Sequence, residues 1–249
     1  MAVAIVSEKI SALCRASLIG EGFSLLTLPA SKRLSAPVSH HPDTVLARRG
    51  RDIYCPEDYF FENGDFFQRL TALCKGLRVH PLSRRHEGRY PEECAYNMLT
   101  AADTVYFNER ALAPEIAVAA REMGYRTVFT RQGYAACTVL MLSPRRAITA
   151  DAGMARVLKE NGVRVLLIRE GGILLPPYGY GFIGGASGVF GNTVYFFGEV
   201  RKHPSYEDMR QFAADAGFTL KSLSSEPLRD LGGILFAEDS TDQNADGRH

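Results

Sequence analysis

The segment SHHPD, Ser39 to Asp43, carries two residues of the types and spacing that prepare a general base. His41 and Asp43 lie two apart, so an extended segment places both side chains on one face. A carboxylate beside an imidazole fixes its tautomer and raises its basicity. The same pair also serves as a structural hydrogen-bonded couple or sits in a solvated loop, and all three uses stay open. Among the five cysteines, Cys137 is the candidate nucleophile, because it begins a strand-like run beside Thr138. Cys94 begins a similar run upstream, which favours packing as a small hydrophobe at this place. Cys14 and Cys74 fall on apolar helix faces and read as core.

A third feature is the stretch YGYGFIGGASGVFGNTVYFFG, Tyr178 to Gly198, with six glycines ahead of the strand-like run Thr193 to Phe197. Glycine is costly in a strand, so so dense a run implies backbone passing close to another strand, a crowded axis or a ligand. Phe182, Ile183, Val189 and Phe190 are too apolar for a solvated linker. Backbone N–H groups near Gly184, Gly185 and Ser187 are suited to an oxyanion or carboxylate. Close packing at an axis explains the same glycines without a ligand.

The elements that must position these residues repeat. An amphipathic helix, then a glycine, then a strand occurs five times. Ser7 is placed to cap a helix bearing Ile10, Leu13, Cys14 and Leu18, with Gly22 before FSLLTL; Gly64 to Cys74 leads to Gly76. Pro114 opens the third helix, ahead of Gly124; Asp151 is placed to cap the fourth, ahead of Gly162; Pro204 opens the fifth, ahead of Gly217. For Asp151, capping is favoured over pointing into a site. Four pairs of strand-like runs precede the later helices: 43–47 with 52–55, 94–99 with 104–107, 137–142 with 146–149, and 184–190 with 193–197. The fifth pair is split between Leu231 to Phe236 and Ala2 to Val6. If these ends pair, five ββαβ units close into a ring without an unpaired edge. Strand-strand-helix-strand order does not supply the βαβα alternation of a doubly wound sheet. The glycine stretch does not open onto a helix, so a dinucleotide fingerprint is not indicated. Residues 1–238 are expected to form one domain, and the polar, Asp-rich 239–249 a disordered tail.

Composition sets bounds on function. Hydrophobic residues make up 46% and charged residues 23% of the 249, as in a globular chain with a sizeable core. A net charge of +1 gives no global field toward nucleic acid or an anionic membrane. An odd number of cysteines without CxxC spacing argues against a disulfide framework or zinc site and for a reducing compartment. The amino-terminal AVAIV lacks a signal peptide's basic start and long apolar segment, and no apolar run has membrane-spanning length. A cytoplasmic protein is expected, with no cofactor and no membrane partner.

Five ββαβ units closed by the termini resemble the pentein fold of the guanidino-group-modifying enzymes, an α/β five-bladed propeller. That group includes arginine deiminases, dimethylarginine hydrolases and amidinotransferases, with a non-catalytic relative in a ribosome anti-association factor. SHHPD, QGYAACT (Gln132 to Thr138), AITADAG (Ala147 to Gly153) and YGYGFIGGASG (Tyr178 to Gly188) further resemble a bacterial family of uncharacterised proteins with that fold. The resemblance implies an axial pocket lined by the first strand of each unit. It also implies a cysteine after a Gly-Gly pair in the last repeat, a histidine in the preceding one and Gly-Asp in a middle one. Here Gly232-Gly233 is followed by Ile234, no histidine stands near Phe182, and the middle repeat reads Ala136-Cys137-Thr138. Ordinary deiminase or amidinotransferase chemistry is therefore not expected.

The axial candidates are then His41 as base, Asp43 to orient it or grip a cation, and Cys137 as nucleophile. Asn97, Thr138, Gly184, Gly185, Ser187 and Asp230 are the candidates for binding a small guanidine-, amidine- or amino-acid-like molecule. Whether catalysis occurs is left open. Nothing in the spacing marks a metal site, although His41, Asp43 and a cysteine are conceivable ligands. The alternative is a non-catalytic protein that binds a macromolecule through outer basic clusters around Arg48 and Arg84.

Overall fold

The computed structural model describes residues 2–238; the expected tail, 239–249, lies outside them. The chain begins with β1 (Ala2–Ser7), α1 (Ala12–Gly20) and β2 (Ser24–Leu28). A helical turn, α2 (Pro42–Val45), precedes β3 (Ala47–Arg49), β4 (Asp52–Pro56), α3 (Glu57–Glu62), α4 (Gly64–Leu73) and β5 (Arg78–Leu82). The third unit is β6 (Leu99–Ala101), β7 (Thr104–Phe107), α5 (Pro114–Glu122) and β8 (Arg126–Phe129). The fourth is β9 (Val139–Ser143), β10 (Arg146–Thr149), α6 (Ala152–Glu160) and β11 (Arg164–Leu167). The fifth is β12 (Ser187–Phe190), β13 (Thr193–Phe196), α7 (Tyr206–Ala214) and β14 (Thr219–Ser222), and β15 (Leu235–Glu238) ends the described chain.

The strands form five three-stranded sheets. In each, the middle strand pairs antiparallel with the first and parallel with the third, the helix making the parallel crossover. The split unit forms as expected: β15 runs antiparallel to β1, with Ala2 opposite Glu238 and Ile5 opposite Leu235. An apolar cluster then ties this unit to its neighbour, joining Ala4, Val6, Leu18 and Phe236 with Tyr195 and Phe197. The glycine after each helix takes the left-handed conformation, φ +78° to +88° at Gly22, Gly76, Gly124, Gly162 and Gly217.

Local expectations fail at two helix starts. Ser11, not Ser7, caps α1 through a bond from Cys14 N, and Leu13 turns outward, 56% exposed. α7 starts at Tyr206, two residues beyond Pro204. Asp151 does cap α6, accepting from Met154 N at 2.8 Å.

Each first strand starts later than its sequence pattern suggests. Pro42–Val45 form a helical turn, Cys94 lies in a 3₁₀ turn, and Cys137 and Gly184 precede their strands. The reason is where the backbone bonds go. At the axis these turns bond to one another rather than to a neighbouring strand. Asp43 N donates to Gly232 O at 3.1 Å, and Asn97 Nδ2 donates to Asp43 O at 2.9 Å. Ala136 N donates to Asn97 Oδ1 at 2.7 Å. Gly185 N donates to Cys137 O at 2.9 Å, and Leu231 N and Gly233 N both return to Gly185 O. A circuit of hydrogen bonds thus passes through all five units, with the Asn97 amide acting as its third link.

Candidate active site

That circuit brings together side chains from units far apart in sequence. His41 is the residue before α2, its side chain 1% exposed and both ring nitrogens without a hydrogen-bond partner. Its Nδ1 is 3.6 Å from Asp230 Oδ1. His41 and Asp43 are therefore not on one face of an extended strand: Pro42 turns the chain, and Asp230 is the carboxylate nearer the imidazole. His41, Asp43 and Cys137 each still place a polar atom within 4.8 Å of the other two. Imidazole, carboxylate and thiol form a donor set of the kind zinc takes, a grouping that sequence spacing does not reveal.

Cys137 Sγ accepts a bond from Asn97 Nδ2 at 3.2 Å and lies 3.9 Å from Thr44 Oγ1. Asp230 is held by two backbone donors, Phe182 N at 2.8 Å and Gly232 N at 3.1 Å. The glycines are what admit it. A Cβ at Gly185 would lie 2.0 Å from Asp230 Oδ1, and one at Gly232 would lie 2.3 Å from His41 Cβ.

Burial governs the charges. Desolvation lowers His41 to about 4, against a smaller opposing pull from Asp43. Desolvation raises Asp43 to about 6, with His41 opposing and Asp230 reinforcing. Asp230 rises to about 6 by the same desolvation, partly offset by its two N–H bonds. The Cys137 thiol is pushed well above its usual range, first by burial and then by the charges of Asp43 and Asp230. At neutral pH the site holds a neutral imidazole, a thiol and two mostly ionised carboxylates. Among the described residues, no Lys or Arg forms an ion pair with Asp43, Asp230 or Glu93.

Above this floor opens a cavity of about 350 Å³. His41, Cys137 and Asp230 reach it from below, and Tyr90, Tyr134, Tyr178, Tyr180 and Phe182 wall it. Glu93 also lines it, bonded by the Tyr134 hydroxyl and by Ser35 Oγ at 3.1 Å. The other expected binding residues stand behind the wall, engaged within the chain. Asn97 is the circuit link, Thr138 Oγ1 donates to Ala135 O at 3.2 Å, and Ser187 Oγ donates to Ile183 O at 2.7 Å. Gly184 abuts the carbonyls of Ala136, Cys137 and Val139, and the Gly185 N–H is taken by Cys137 O. The glycines of 184 and 185 thus answer close packing rather than an anion.

The aromatic wall went unread in the sequence, since it joins loops of different units. Its one local signal was the alternation of Tyr178, Tyr180 and Phe182 with glycine. Of the two basic clusters, the one around Arg48 differs from expectation, while Arg85 beside Arg84 keeps an exposed side chain. Arg48 turns inward to the Phe236 carbonyl, and Arg49 packs over the Tyr125 ring at 4.6 Å. Their charges are not available as an outer docking face. None of the five cysteines is disulfide-bonded and all are buried, and among the described residues no helix is long and apolar enough to cross a membrane.

Five ββαβ units closed by the chain ends, with turns converging on an axial cavity, make this a pentein-fold protein. Solved structures agree over nearly the whole chain. A dimethylarginine dimethylaminohydrolase from Pseudomonas aeruginosa, complexed with citrulline, matches with TM-score 0.55 and 11% identity over 90% of this chain and 91% of that one. A saxitoxin-pathway amidinotransferase from Microseira wollei matches at 0.54 and 12% over 92% and 81%. The product-bound N-terminal domain of a cyanobacterial arginine dihydrolase matches at 0.54 and 12% over 94% of each. At these identities the likeness defines the fold and no more. No curated protein matches the sequence. The chain belongs to the family of unknown function DUF6873, whose model matches residues 5–235.

Proposed function

We propose that this protein binds a small organic cation, a guanidinium or amidinium, in the axial cavity and hydrolyses it with Cys137 as nucleophile. One observation carries this reading: Asp230 lines the cavity floor with Asp43 buried close behind it, and among the described residues no cationic side chain pairs either. Buried carboxylates without a counter-charge are costly, and a planar cation with several N–H donors offsets that cost bidentately. Burial is the first cause that keeps the Cys137 thiol protonated and the Asp43 and Asp230 charges add to it; the same cation counters those charges and so favours the thiolate.

The chemistry balances without a further reactant. The neutral His41 ring receives the thiol proton, and Sγ attacks the central carbon to form a tetrahedral adduct. The C–N bond breaks as His41 returns the proton to the leaving nitrogen. Water then attacks the same carbon, the C–S bond breaks, and the thiol is restored. A guanidinium plus water gives a urea plus ammonium; an amidinium gives an amide plus ammonium.

An α-halogenated acetamidine, positively charged, and neutral iodoacetamide test the reading together. The amidine is expected to alkylate Cys137 at neutral pH at least about tenfold faster than iodoacetamide does, and Asp230→Asn to remove that advantage. Equal or faster labelling by the neutral reagent, or an adduct confined to other cysteines, rejects it.

A further inference from the structure

The proposed cation site rests on the cavity floor; the walls say which cations fit. The charged groups of the lining are Glu93 and Asp230, and among the described residues the lining holds no lysine or arginine. Glu93 is 4% exposed, and among the described residues no Lys or Arg pairs with it; the Tyr134 hydroxyl and Ser35 Oγ bond it. Outside the lining, Glu170 lies close to Tyr180, adding another acidic group near the wall. The rest is aromatic or apolar. Tyr90 and Tyr134 lie 5.9 Å apart, Tyr134 and Phe182 6.3 Å, and Phe182 and Tyr180 6.4 Å, forming one continuous wall. Val38 and Leu175 complete the lining, and Tyr178 stands 51% exposed at the rim.

From this lining we infer that the ligand carries no carboxylate: it is a guanidine, amidine or amine cation borne on an alkyl or aryl body. The two carboxylates and the aromatic faces of the lining attract positive charge. An α-amino-acid ligand, by contrast, brings an anion that needs a buried positive partner. Here that anion would be desolvated beside Glu93 with nothing to pair it, which selects against amino acids. The cavity has room for a cationic head and a body of a few methylenes or one ring. A second amino group on the body would be paired by Glu93 while the head is held by Asp230.

Calorimetry on the full chain with agmatine, arginine and benzamidine tests this inference. Agmatine and arginine differ by one carboxylate. Agmatine and benzamidine are expected to bind, with arginine at least about tenfold weaker than agmatine. Glu93→Gln is expected to narrow the agmatine-to-arginine ratio by weakening agmatine and sparing arginine, while the thermal midpoint reports that the variant is folded. Arginine binding as tightly as agmatine, or a ratio unmoved by Glu93→Gln in folded protein, overturns the inference and leaves the cation site standing. If none of the three binds, the cation site and this inference fall together.

Discussion

Lowering the pH from 7 to 5 should weaken binding of a permanently charged amidinium by one to two orders of magnitude. The ligand does not titrate in this range, and the two buried carboxylates do, Asp230 at the floor and Asp43 behind it. Asp43 and Asp230 are both raised to about 6 by burial. A carboxylate with that value is about nine-tenths ionised at pH 7 and about one-tenth at pH 5, which costs about tenfold in affinity, or about 1.4 kcal/mol. If the cation needs both carboxylates charged, the loss approaches about a hundredfold. The sign is fixed by the upward direction of the shifts: an unperturbed carboxylate stays charged across the window and gives a flat profile. His41, lowered to about 4, adds repulsion only below pH 5 and cannot reverse the trend. Titration calorimetry with benzamidine from pH 5 to 8, in buffers of different ionisation enthalpy, measures both the affinity and the protons released. Asp230→Asn should cut the pH 7 affinity and remove about one of the two orders of magnitude. Affinity that is constant, or that rises as the pH falls, refutes the assignment of the floor as the cation site.

The circuit predicts that Asn97→Ala strands two buried groups, Asp43 O and Ala136 N, and lowers stability by about 2–5 kcal/mol in denaturant titration; a change below about 1 kcal/mol contradicts the linking role. Gly185→Ala should displace the Asp230 carboxylate, abolish benzamidine binding and lower the thermal midpoint. Gly179→Ala, where an added Cβ meets nothing within 4 Å, should leave stability unchanged. Asp151→Ala removes the α6 cap at a cost of about 1 kcal/mol and should leave ligand affinity as it was, since its oxygens serve Met154 N and Gln132 Nε2. Ile5→Ala, in the strand that closes the ring, should cost about 2–5 kcal/mol, seen as a shifted urea midpoint with an unchanged slope.

The architecture was legible because its signals are local and recur. A helical period, a glycine that only the left-handed region explains, and a following strand repeat five times, and the split pair of Ala2–Ser7 and Leu235–Glu238 closes them. The starts of the first strands were not legible. Asp43, Cys137 and Gly184 read as strand from side-chain pattern alone, but their backbone groups or immediate neighbours bond across the axis to other units. One criterion, a polar residue on a first strand, points to His41, Asp43, Cys137 and Asp230 and equally to Thr138, Ser187 and Asn97; the structure draws the first four close to one another. Thr138, Ser187 and Asn97 instead turn their polar atoms into the chain. The aromatic wall shows in the sequence only as the alternation of Tyr178, Tyr180 and Phe182 with glycine, since Tyr90, Tyr134 and Phe182 meet only once the units close. Arg48 misleads in the opposite sense, because its long side chain reaches inward to the Phe236 carbonyl rather than to solvent.

The central claim is that the axial floor grips a cation with its reactive carbon at Cys137. A crystal structure of the Cys137→Ser variant soaked with benzamidine tests it most directly. The amidinium nitrogens should sit about 2.8–3.0 Å from the Asp230 carboxylate, with the amidine carbon about 3–3.5 Å from the residue-137 oxygen and the ring against Tyr134 and Phe182. An amidinium resting on Tyr178 at the rim, with the floor unengaged, would contradict it.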